Sequence, residues 1–298
     1  MQVTPLRPIR EILEPFGGTL PGALAPSESI RITRAMQSAG ATPELIGETR
    51  GGCGGRFPIQ RISDAGGDIL VVEKNQQGSA EVAGSQFAGL IGIQHLVPLA
   101  VEHGQQGARM LRAAGTEAAQ AGVKSADDLV ALRMVALSRE APGLSVSERG
   151  RLARLEVELG QAMDYLLANS DRHTRNVMVD PERGAMALID NGAIGDGDLF
   201  RPATTQAWRT PQLHRAFQPT EESAPLSPDT LQWLRDHIDD TTLTAWHQQH
   251  AAGLPRLKLD ALLERWHHLT ATGSIQRAPR LEKARNFVKP DFSKFLSQ

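Results

Sequence analysis

The chain carries one cysteine, Cys53, in 298 residues. A lone cysteine excludes an intramolecular disulfide and any CxxC zinc arrangement, and it fits a reducing compartment. Aromatic residues make up only 4%, with a single tyrosine, so a stacking platform for bases is not expected. Surplus positive charge is missing as well. The 32 Lys and Arg against 34 Asp and Glu give a net charge of −2, without the basic footprint of a protein that grips nucleic acid through its phosphates. No nucleic-acid partner is expected. The longest nearly uncharged run, GLIGIQHLVPLAV (89–101), is too short for a bilayer and is interrupted by His95 and Pro98. The opening MQVTPLRPIREILEPF has charges throughout and no apolar centre of the signal-peptide kind. These features predict no transmembrane segment, and a cytoplasmic protein or one exported by a route that leaves no Sec-type signature.

With 40% hydrophobic and 22% charged residues, the chain can bury one large core or two lobes sharing an interface. Residues 1–45 mix Pro and Gly with one helical candidate, SESIRITRAMQSAG, for which Ser27 and Ser29 are candidate caps. They read as an extension laid on a domain. Residues 46–115 alternate Gly clusters with β-branched runs. FPIQRI and DILVVEK flank the turn DAGGD, a helical candidate SAEVAGSQFAGLIG follows, and LVPLAVEH reads as another strand. The stretch GQQGARMLRAAGTEAAQAG (104–122) is ambiguous between strand plus linker and helix, and the lobe boundary is placed inside it.

Residues 116–298 read as mainly helical. Ser125 with Asp128 resembles a capping box, and Ser147 is read as opening a long helix in which Leu152, Leu155, Leu159, Met163 and Leu166 share one face. That helix delivers the chain into DRHTRNVMVDPERGAMALIDNG (171–192), where VMV and AMALI form a hairpin about DPERG. Asp171 and Asn176 precede the first strand and Asp190 ends the second, so the hairpin gathers all three at one end. Further helices are expected after Ser227, with Pro228 at the first position, and around TLTAWHQQH and KLDALLERWHHL. Their histidines His247, His250, His267 and His268 lack acidic or cysteine partners at metal spacing.

Taken singly, Asp171 and Asn176 are ordinary turn residues, and Gly clusters are more often flexible turns than phosphate cradles. Taken together with what precedes them, they meet the needs of phosphoryl transfer. Asp171 can accept a proton from an attacking hydroxyl. Asn176 and Asp190 offer hard oxygens to Mg²⁺. Lys74, ending a strand, can reach phosphates. Gly51, Gly52, Gly54 and Gly55, with Cys53 among them, would let backbone amides lie over a nucleotide. The Asp-to-Asn spacing of five is that of the kinase catalytic loop, and Asp190-Asn191-Gly192 occupies the place of its metal-binding Asp-Phe-Gly.

NSDRHTRNVMV followed by LIDNG resembles the catalytic and metal-binding segments of the phosphatidylinositol 3-/4-kinase-like branch of the protein-kinase-like fold. That branch also includes actin-fragmin kinase, HipA-type bacterial kinases and secreted bacterial effector kinases. The close match covers roughly twenty-five residues, and GGCGG and VVEK extend it loosely over about half the chain. The resemblance implies an α+β, two-lobed fold with a small β-rich N-lobe and a larger helical C-lobe. It implies Asp171 as catalytic aspartate, Asn176 and Asp190 as magnesium ligands, and Lys74 as the phosphate lysine. Glu81 becomes its ion-pair partner, with Glu102 as competitor, and His173 a loop-shaping residue. ATP and Mg²⁺ are the implied cofactors.

Asn191 departs from the pattern, standing where an aromatic residue is common, and no Ala-Pro-Glu follows as in ordinary eukaryotic protein kinases. GAIGDGDLFRPATTQAWRTPQ lacks the clustered lysines of lipid kinases and offers only Arg201 and Arg209. The expected function is therefore that of an atypical protein kinase acting on a protein hydroxyl, with delivery into a host cell as an effector one setting for it. The alternatives are a phosphoinositide kinase acting on a membrane lipid, a non-catalytic nucleotide-binding scaffold, and a kinase-fold enzyme that transfers AMP.

Overall fold

A computed structural model describes residues 6–38, 43–50, 56–169, 172, 174–195 and 223–276. Its centre is a five-stranded antiparallel sheet in the order β1-β2-β3-β5-β4, formed by β1 (Glu44–Arg50), β2 (Arg56–Asp64), β3 (Gly67–Lys74), β4 (Ala100–His103) and β5 (Gly107–Leu111). The turn between β2 and β3 is the predicted Asp-Ala-Gly-Gly, with Gly67 at φ +113°. Register sets Lys74 opposite Ala108 and Glu73 opposite Arg109. Alternation along β3 then sends these two side chains to opposite faces of the sheet.

Helix α1 (Ile9–Leu13) precedes α2 (Pro26–Gln37), and α3 (Gly78–Leu90) connects β3 to β4. A second sheet, β6-β7-β8, comprises β6 (Thr116–Glu117), β7 (Val177–Asp180) and β8 (Ala185–Leu188). Between β6 and β7 run α4 (Ala126–Glu140) and α5 (Val146–Leu166). The chain closes with β9 (Ser223–Pro225), α6 (Pro228–His237), α7 (Asp240–Trp246), a π-helical turn over His247–Ala251, α8 (Leu259–Thr272) and β10 (Ser274–Gln276), which pairs with β9. Among the described residues no helix is long and apolar enough to cross a membrane.

The interior falls into separate clusters, and their membership is informative. One joins Ile32 and Met36 of α2 to Ile62, Ile69 and Val71 of the large sheet. The largest unites α4 to α8 with Ile9, Ile12 and Leu13 of α1 and with Ala83, Phe87 and Ile91 from the α3 region. The N-terminal segment therefore straddles the molecule, α1 on the helical lobe and α2 on the sheet. Helix α3 is fixed to the helical lobe by a Phe87–Trp246 edge contact at 4.9 Å and by Trp233, whose indole donates to the Ile91 carbonyl at 2.8 Å. Its start touches the β4–β5 turn so closely that a Cβ on Gly78 would lie 2.1 Å from the Gly107 backbone.

Several local expectations are refined. Helix α2 starts at Pro26 with Ala25 as its cap residue, so neither Ser27 nor Ser29 caps it; proline at the first turn sets the boundary ahead of both serines. Helix α4 has the capping box of Ser125 and Asp128. Helix α5 is capped by Ser145 with Glu148, not by Ser147, because only Ser145 has a glutamate three residues on. LVPLAVEH becomes strand only from Ala100, and the ambiguous 104–122 stretch contains β5 and β6 rather than a helix.

Helix α5 departs most from expectation. Leu152, Leu155, Leu159, Met163 and Leu166 are all fully buried, each worth roughly 1.5–3 kcal/mol of burial. Yet Glu156, Glu158 and Asp164 are buried too, so the helix is covered all round from Leu155 to Leu166. Each acid has partners: Arg133 and His95 for Glu156, Ser227 and Thr230 for Glu158, Arg172 and Asn169 for Asp164.

Candidate active site

Lys74 ends β3, the strand buried between its neighbours in the large sheet. Its ammonium donates to Glu81 Oε1 at 2.5 Å and to Asp190 Oδ1 at 2.7 Å. The Lys74 and Glu81 side chains are 11% and 1% exposed, whereas Asp190 keeps 36% and so faces open space. Burial alone would lower the lysine pKa, but Glu81 and Asp190 outweigh it and hold the ammonium above its ordinary value. A charged lysine is fixed here. The Phe57 ring of β2 lies 5.7 Å from the ammonium, a cation–π contact.

Glu81 occupies the first turn of α3, where a carboxylate also meets the positive end of the helix. Its competitor Glu102 lies exposed on β4, and the ion pair goes to Glu81. The second Glu81 oxygen accepts from the Asn191 backbone amide at 3.0 Å, tying α3 to the segment after β8.

The hairpin β7–β8 behaves as its sequence predicts, with Val177 opposite Leu188 and Val179 opposite Met186. Beyond the paired strands, the Ile189 amide donates to the Asn176 carbonyl at 3.0 Å, so Asn176 and Asp190 leave the hairpin at the same end. Asp190 has φ +62°, a left-handed conformation uncommon outside glycine that turns its carboxylate toward Lys74. Lys74, Glu81, Asn176 and Asp190 are thus brought into one region. Asp171, His173 and the Gly51, Gly52, Cys53, Gly54 and Gly55 loop lie outside the described residues, as do Arg201 and Arg209.

Two residues without a role in the sequence pattern, Arg172 and Asp164, are central here. Arg172 is fully buried, and a guanidinium has five N–H donors. It donates to Asp164 at 3.1 Å, to the Asn176 carbonyl at 3.0 Å, to the Ile189 carbonyl, and to Asn191 Oδ1 at 2.6 Å. Burial raises the Asp164 carboxyl pKa, with Arg172 and Asn169 opposing it. The available signal was an acid inside the otherwise apolar AMDYLL, seven residues ahead of Asp171 and thus near an arginine in the same motif.

The chemistry of the residues gathered here is compatible with a magnesium–phosphate group. Among the described residues no cluster of three or more His, Cys, Asp or Glu could cage a metal, but a carboxylate on an ammonium, with an asparagine leaving the same end of the hairpin, is the kind of set that suits Mg²⁺, which takes few protein ligands and completes its shell with phosphate oxygens and water.

A five-stranded sheet, a strand lysine paired with a helix glutamate, and a helical lobe that returns a hairpin aspartate to that lysine make an α+β protein with a β-rich and a helical lobe, the arrangement that the resemblance to the protein-kinase-like fold implies. Among solved structures the chain is similar to the proinflammatory kinase CtkA of Helicobacter pylori, at 11% identity and a TM-score of 0.44, covering 76% of this chain and 92% of that one. It is also similar to CtTel1 in its open conformation, at 12% identity and a TM-score of 0.33, covering 84% of this chain and 11% of that one. No family model and no curated protein matches the chain.

Proposed function

We propose that the chain is an ATP- and magnesium-dependent phosphotransferase, an atypical kinase of the phosphatidylinositol 3-/4-kinase-like branch, whose acceptor is a protein hydroxyl. The observation that carries this reading is Lys74 held between Glu81 and Asp190, with Asn176 delivered to the same end of the hairpin. Asn176 and Asp190 would hold the magnesium. When bound, the ion neutralises charge on the transferring phosphate. Lys74 holds a phosphate oxygen as a fixed cation that needs no rearrangement as charge develops. Asp171 orients the acceptor hydroxyl and takes its proton. Gly51, Gly52, Cys53, Gly54 and Gly55 would supply backbone amides to the nucleotide, as the resemblance implies.

A protein acceptor is favoured over a lipid because the segment after Gly192 lacks clustered lysines, and delivery into a host cell as an effector suits such an acceptor. Incubation with labelled ATP and a cell lysate, beside anionic vesicles containing phosphoinositide, tests the reading. Labelled protein bands that disappear on Asp171→Ala support it. Label confined to lipid rejects the protein acceptor, and ATP binding without transfer of either phosphate or AMP supports a scaffold.

A further inference from the structure

Asn191 stands where the resembled kinases commonly carry an aromatic residue, and the structure gives that position a different job. It is 2% exposed, and its side-chain oxygen accepts from Arg172 Nη2 at 2.6 Å. A guanidinium only donates, so the oxygen, not the nitrogen, of the amide must face it. The Asn191 backbone amide simultaneously donates to Glu81 at 3.0 Å. From the third side Gly84 of α3 approaches so closely that a Cβ there would lie 2.9 Å from Asn191 Cβ and Cγ.

The five N–H groups of Arg172 are accounted for by five acceptors. Nε and one Nη2 hydrogen go to Asp164, the Nη1 pair goes to the carbonyls of Asn176 and Ile189, and the remaining Nη2 hydrogen goes to Asn191. Arg172 thereby binds the end of α5, the residue entering β7 and the residue leaving β8. Asn191 adds α3 to that set. Between them sits Asp190 at φ +62°, a backbone state that persists only when its surroundings enforce it.

We infer that Asn191 is a positioning residue, a buried polar latch between Arg172 and Glu81 that gives the Asp190 turn a single seat. An aromatic side chain at this position can swing in and out of an apolar pocket, since it forfeits only packing. Asn191 cannot leave without orphaning a buried guanidinium N–H, so the turn is held ready before nucleotide arrives. The proposal rests on the phosphotransferase reading for its consequence, though not for its geometry.

The test uses the full chain and two near-isosteric substitutions, Asn191→Leu, which removes the acceptor, and Asn191→Asp, which keeps it. Hydrogen exchange of the segment around residues 189–194 in the free protein reads the latch. Asn191→Leu is expected to accelerate exchange by about tenfold or more, and Asn191→Asp to stay within about threefold of the parent. The magnesium concentration for half-maximal ATP binding should rise by about tenfold in Asn191→Leu and be restored in Asn191→Asp. Because Asn191→Leu could fail to fold, Gly84→Ala supplies an independent variant that displaces Asn191 without deleting any polar group, with the same acceleration expected. Parent-like exchange in Asn191→Leu or Gly84→Ala overturns the latch, and so does equal acceleration in the Leu and Asp variants. Accelerated exchange in Asn191→Leu with no ATP binding by the parent at any magnesium concentration supports the latch and overturns the proposed function.

Discussion

Replacing Glu156 by alanine removes one carboxylate from a fully buried cluster, and the size of the effect follows from its partners. Glu156 accepts from one edge of the Arg133 guanidinium, from Nη2 at 3.1 Å and from Nε at a shorter distance, and its Oε1 lies 3.3 Å from His95 Nε2. Without it Arg133, itself 2% exposed, retains Glu140 at 3.2 Å and the Gly184 carbonyl at 3.4 Å. Breaking a buried pair costs about 3–5 kcal/mol, and the surviving Glu140 contact places this case near the lower end. A chain of this size loses about 2–4 °C of Tm per kcal/mol, so a drop of roughly 6–12 °C is expected by scanning calorimetry. Removing both charges in Glu156→Met/Arg133→Leu should recover most of that loss. The pH dependence has a definite sign. Burial would raise the Glu156 pKa, but His95 and Arg133 outweigh it and hold it below the ordinary 4.5. Stability from this carboxylate is thus present above 4.5 and lost as pH falls through the lower folded value, so parent and Glu156→Gln should converge in acid. A Glu156→Ala melting temperature within about 1 °C of the parent would refute the reasoning.

Ser145→Ala should lower stability by about 1 kcal/mol by deleting the α5 cap, while Ser147→Ala, exposed two residues later, should stay within about 0.5 kcal/mol; chemical denaturation of both variants distinguishes them. Lys74→Met should reduce kcat/KM for phosphate transfer by roughly 10²–10³, measured with saturating magnesium. Because the Lys74 pKa is raised in the folded chain, its contribution to stability is complete below 10.5 and lost as pH rises through the folded value, so parent and Lys74→Met melting curves should approach each other only in strong alkali.

The hairpin and the lysine strand were legible because each is a local pattern. Period-two alternation around DPERG fixes β7 against β8, and the same alternation in DILVVEK places Lys74 at a strand end. Glu81 was separable from Glu102 only in three dimensions, since where the first turn of α3 sits against the sheet, not sequence distance, decides which carboxylate faces the ammonium. The polar side of α5 was invisible for a related reason. An amphipathic pattern assigns acids to solvent, and only the packing of α4, α6 and the Arg172 segment around the helix turns Glu156, Glu158 and Asp164 into buried partners. Arg172 was hidden by its own chemistry. Arginine in a loop reads as surface charge until five acceptors from Asp164, Asn176, Ile189 and Asn191 converge on it. Asn191 was noticed in the sequence as a departure, but the partner that explains it lies nineteen residues earlier.

Calorimetric titration of ATP into the parent protein and into Asp190→Ala, with and without magnesium, tests the central claim most directly. The account predicts that magnesium strengthens ATP binding by the parent and has no effect on Asp190→Ala, because Asp190 is the carboxylate that would hold the ion beside Lys74. Equal magnesium dependence in the two proteins, or parent binding indifferent to magnesium, would contradict it.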